Sequence, residues 1–98
     1  MKRLAAVLAF PALAACVPPD GVTAEDLAAF DAAVASIGCD LRAERHYLPV
    51  ELQTGMPRAT LTEIAQYKVS IDQAVPLEGG GVRLVTGLCT PKPEEVTS

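Results

Sequence analysis

The chain has 98 residues, with 8 Lys and Arg against 12 Asp and Glu and a formal net charge of −4. That length holds one small domain, and the acidic balance excludes binding driven by attraction to nucleic-acid phosphates or anionic lipid. Half of the residues are hydrophobic, too many for a disordered chain, while only 4% are aromatic, too few for a platform that stacks bases or sugars.

The first predicted element is an address. Lys2 and Arg3 precede an uninterrupted apolar run from Leu4 to Phe10, and Leu13-Ala14-Ala15-Cys16 closes the segment after Pro11. Basic start, apolar middle and small residues at a cleavage point are the order of a secretory signal. The run is too short to span a membrane, which takes about 20 apolar residues. A buried helix of a cytosolic domain is the alternative, and Pro11 with the Pro18-Pro19 pair argues against it.

Leu13-Ala14-Ala15-Cys16 resembles the lipobox of bacterial lipoproteins. The resemblance covers residues 1–16 and implies a signal peptide over 1–15, cleavage before Cys16, and acyl chains, such as palmitate, on its sulfur and new amino group. Two or more chains make a stable anchor where one does not. The expected location is the periplasm-facing cell envelope. Val17 follows the cysteine where an Asp would resemble an inner-membrane retention signal in enterobacterial lipoproteins, which leans towards the outer membrane. Cleavage removes Lys2 and Arg3 and takes the formal charge from −4 to −6.

Residues 16–22, with the proline pair, read as a short stiff tether. Residues 90–98, with Pro91, Lys92, Pro93, Glu94 and Glu95, read as a disordered tail. A folded domain over 23–89 is marginal by burial alone. Cys39 and Cys89 form an even pair in an oxidising compartment and are expected to be disulfide-bonded. They lack the CxxC spacing of a redox or metal pair.

Thr23 with Asp26 three residues on marks a helix start, Leu27, Phe30, Val34 and Ile37 recur at helical spacing, and Gly38 is a stop. A helix is therefore expected over 24–37. Residues 40–47 are charged and compatible with a short extended piece or an irregular turn. Pro49 suits a first helical position, which suggests one and a half helical turns ending at Gly55. Pro57 opens a third helix to about Ser70, with Leu61, Ile64, Ala65 and Lys68 or Val69 inward. Val75-Pro76-Leu77 and Val82 to Thr86 flank Glu78-Gly79-Gly80-Gly81 and read as a β-hairpin. The glycines lack the lysine and following helix of a phosphate loop.

The expected fold class is therefore α+β: a small helical domain with a C-terminal hairpin and one disulfide. Residues 48–86 resemble a winged helix-turn-helix, with Thr54 to Leu61 placed like its turn and recognition-helix start. The basic stripe a DNA reader needs is missing, since Glu63 and Asp72 accompany only Arg58 and Lys68, so the likeness is one of fold.

No pattern of nucleophile, base and orienting acid is present, and no enzymatic activity or cofactor is expected. Asp40, Glu44 and His46 lie close in sequence, and small-ligand or metal binding there is the alternative to a solvated charged loop. The leading expectation is a non-enzymatic interaction module, tethered to the membrane through lipid on Cys16 and docking on an envelope complex. Arg42, Arg45, His46 and Tyr47 are the expected contact residues, within a surface formed by 42–55, because positive charge gathers there against an acidic background.

Overall fold

A computed structural model describes residues 17–91. The expected signal peptide, the expected anchor Cys16 and residues 92–98 of the expected tail lie outside the described residues.

Thr23 starts the first helix as its sequence suggests. Its Oγ1 accepts from the Asp26 N–H at 3.1 Å, and Asp26 Oδ2 accepts from the Thr23 N–H at 3.1 Å, a reciprocal capping box. Helix α1 runs Ala24–Ser36 and buries Phe30, Ala33 and Val34. It ends in a Schellman motif, in which the Gly38 N–H donates to the Ala35 carbonyl at 3.3 Å and the Cys39 N–H to the Val34 carbonyl at 2.9 Å. Gly38 takes φ 107°, where a glycine costs nothing.

The ambiguous stretch resolves into two elements. Strand β1 is Asp40–Leu41, and helix α2 is Glu44–Thr54, closed by Gly55 at φ 74°. Pro49 is therefore inside a helix and does not open one. The start is set upstream by His46, whose Nδ1 accepts from the backbone N–H groups of Arg42 at 3.0 Å and Ala43 at 3.1 Å. Pro49 cannot donate to the Arg45 carbonyl four residues back, but Arg45 is exposed and water can serve that oxygen.

Helix α3 is Arg58–Ser70, with Leu61, Ile64, Ala65 and Lys68 buried. It too ends in a Schellman motif, through Asp72 N–H to the Val69 carbonyl at 3.1 Å and Gln73 N–H to the Lys68 carbonyl at 2.9 Å. The two side chains that commonly make an apolar contact across this motif are here Lys68 and Gln73, joined by a 2.9 Å hydrogen bond. Lys68 is 3% exposed and also donates to Asp31 Oδ2 of α1 at 2.9 Å.

Strands β2 (Ala74–Pro76) and β3 (Val82–Leu84) form the hairpin, and β1 adds on the far side of β3. All pairs are antiparallel, with Leu41 opposite Val82 and Ala74 opposite Leu84. The alternation in β3 puts Val82 and Leu84 inward and Arg83 outward. A short 3₁₀ turn, Gly87–Cys89, brings Cys89 to Cys39, and the two form a disulfide with Cα atoms 5.7 Å apart.

Three helices and a three-stranded sheet thus enclose one core, in an α+β domain with a single disulfide among the described residues. Phe30, Val34, Leu41, Val50, Leu61, Ile64 and Leu84 are its fully buried centre. Among the described residues no helix is long and apolar enough to cross a membrane.

Candidate functional site

Helix α2 carries the residues that the sequence singles out, and its faces have different jobs. Glu44, Tyr47 and Glu51 recur at spacings of three and four, so they share one face. That face holds Arg58 at the start of α3. Arg58 Nη1 and Nη2 donate to the two Glu44 carboxylate oxygens at 3.1 and 2.9 Å, and Nε donates to Glu51 Oε2 at 2.6 Å. Its guanidinium carbon lies 4.4 Å from the centre of the Tyr47 ring. The Arg58 hydrogen bonds hold the Glu44 carboxyl below the usual carboxylate range, and the same pairing raises the Arg58 guanidinium further.

Asp40 is engaged elsewhere. It accepts from Arg83 Nε at 2.7 Å and Nη2 at 3.1 Å, across the β1–β3 pair. The Arg83 hydrogen bonds lower the Asp40 carboxyl, against a smaller opposing effect of burial. His46 spends Nδ1 on the backbone of Arg42 and Ala43. Asp40, Glu44 and His46 therefore do not converge, and among the described residues no group of three or more His, Cys, Asp or Glu side chains is placed to hold a metal ion.

The four expected contact residues separate. Arg42 is exposed, and its Nη2 donates to the Glu78 carbonyl at 3.1 Å, tying the end of β1 to the hairpin turn. His46 and Tyr47 are half-buried in the roles just described. Of the four, Arg45 alone is exposed with no side-chain hydrogen bond, ion pair or ring contact among the described residues. Its neighbours at helical spacing are Leu48 and Leu52, exposed by 48% and 84%. One cation and two leucines thus form a strip on the outer face of α2.

The leucine strip is the feature that sequence reasoning did not isolate. Reading residues 50–54 as a separate short helix loses the phase of the longer one. With α2 running unbroken from Glu44, Val50 turns inward, and Leu48 and Leu52 turn outward. The second feature missed is the buried Lys68–Asp31 pair, whose members are 37 residues apart.

Comparison of the chain with protein-family models, with curated proteins and with solved structures gives no match.

Proposed function

We infer that the protein is a small envelope lipoprotein, held to the membrane by lipid on Cys16, that works without catalysis by docking on a larger membrane-associated complex. The observation that carries this is the Arg45–Leu48–Leu52 strip on α2. Two exposed leucines on a helix that the Glu44, Tyr47 and Glu51 contacts to Arg58 fix in place offer a rigid apolar contact, and Arg45 adds one charge at its edge. The Cys39–Cys89 bridge supports an oxidising compartment. The lipobox supports the anchor, and Val17 after it favours the outer membrane over the inner.

The ionisable side chains that would interest an enzymologist are occupied in holding the fold. Asp40, Glu44 and Glu51 face arginines, and His46 caps a helix. The order helix, strand, helix, helix, hairpin supports a winged-helix-like architecture, with the acidic surface arguing against a DNA ligand.

The test is affinity purification from membranes after crosslinking in cells, with the wild type and with Leu48→Ser/Leu52→Ser. Wild type should retain a larger membrane protein that the double variant loses. Recovery of free monomer alone from the wild type, or equal recovery of the same protein from both, would overturn the docking role.

A further inference from the structure

The segment after the anchor cysteine does not behave as a spacer. Pro18 and Pro19 are half-buried, the Val22 N–H donates to the Pro19 carbonyl at 3.1 Å, and Val22 packs on the core. Val17, Pro18 and Pro19 form one wall of a groove of about 580 Å³ whose other wall includes Gln66 and Tyr67 of α3. The residue before Val17 is Cys16. Val17, which lines this groove beside α3, is thus joined directly to the expected anchor residue.

We propose that the mature protein lies with the outer face of α3 and the Val17 corner against the headgroup layer of the phospholipid bilayer. The inference rests on lipid anchoring at Cys16 and adds an orientation to it. A flexible tether would let the domain present any side to the membrane. A segment held against the domain next to α3, through half-buried Pro18 and Pro19 and through Val22 on the core, presents one.

The side chains on this face suit an interface of mixed polarity. Val17 is 58% exposed beside the anchor. Tyr67 is half-buried and joins an apolar ring to a polar tip, the combination that favours the headgroup level. The charged residues of the groove are Asp20 and Glu63, and no Lys or Arg lines it. Attraction to anionic lipid therefore contributes nothing, and the covalent anchor alone supplies the binding. The orientation has a consequence for the fold likeness. The helix that a winged helix would present to DNA faces lipid, and the leucine strip on α2 is left as the surface for a protein partner.

The test places an environment-sensitive bimane probe at Gln66→Cys, with Glu63→Cys as a second site on the same face and Leu52→Cys as the comparison. Each variant is full-length lipidated protein purified from membranes with the Cys39–Cys89 bridge intact. It is reconstituted in phosphatidylcholine nanodiscs with or without a headgroup-level spin-labelled lipid. Intact mass is measured first. The expected result is loss of fluorescence at Gln66 and Glu63 with little loss at Leu52. Lipid mass present with equal loss at all three sites, or with the loss confined to Leu52, would overturn the orientation while leaving the anchor standing. Absence of lipid mass would overturn the anchor and the orientation with it.

Discussion

Removing the Cys39–Cys89 bridge should take away a large share of this domain's stability, and the structure lets two components be separated. The cysteines are 50 residues apart, and in the chain-entropy model a bridge closing a loop of that length removes about 4 kcal/mol of unfolded-state entropy, which its loss gives back. A domain of this size is stable by roughly 4–11 kcal/mol. Cys39 also sits at φ 77°, in the left-handed region that any side chain resists. Alanine at position 39 keeps that strain, and glycine relieves it. In a Cys16→Ala background, Cys39→Ala/Cys89→Ala should lose about 4 kcal/mol, and Cys39→Gly/Cys89→Ala about 1 kcal/mol less. Urea unfolding followed by circular dichroism reads both numbers. A loss below about 1 kcal/mol for the alanine pair would refute the loop-closure reasoning. Glycine no better than alanine would refute the strain.

Four further outcomes are expected. Asp31→Ala should destabilise by about 3 kcal/mol, because it strands Lys68, 3% exposed, with only Gln73; Lys68→Met should cost less, since the Asp31 side chain is 37% exposed and its buried Oδ1 already lacks a partner, and thermal melts compare the two. Gly81→Ala should cost at least about 2 kcal/mol and raise hydrogen exchange at Leu41 and Val82; a Cβ there would meet the Arg42 Cα and the Leu41 carbonyl at 2.5 Å, with φ at 82°. His46→Ala should cost about 1 kcal/mol by uncapping α2, visible in the same unfolding assay. The carboxyls of Asp40 and Glu44 are lowered by Arg83 and Arg58, so the stability they contribute is complete above about pH 5 and disappears as pH falls through and below about 4. Arg83→Met should flatten that acid limb in urea midpoints taken against pH.

The parts legible in the sequence are those written in local signals. Thr23 with Asp26, Gly38, Gly55 and the run Gly79-Gly80-Gly81 mark helix ends and a turn through the backbone conformations they permit or the donors they satisfy. The inward positions Leu61, Ile64 and Ala65 of α3 follow from its period, which leaves Lys68 or Val69 open for the next one, and Lys68 takes it. The Cys39–Cys89 pairing follows from the number of cysteines and the expected compartment.

What was not legible depends on contacts between distant residues or on an uncommon local solution. A histidine reaching back to two backbone N–H groups is not the usual cap, so α2 begins before Pro49 and its outer leucines take an unexpected phase. Strand β1 is two residues long, too short to show a period, and exists because β3 pairs with it. Arg58 draws Glu44 into an ion pair across 14 residues and so removes it from the acidic group that Asp40 and His46 suggest. Apart from the local His46 cap, none of these is written within a short window of the chain.

The proposed envelope location and the proposed orientation on the bilayer both rest on reading Cys16 as a lipid anchor. The most direct measurement is incorporation of labelled palmitate in growing cells, with the wild type and Cys16→Ala compared after membrane fractionation. Wild type should carry the label and sediment with the envelope, and Cys16→Ala should carry none. An unlabelled wild type, or label that persists in Cys16→Ala, would contradict the account.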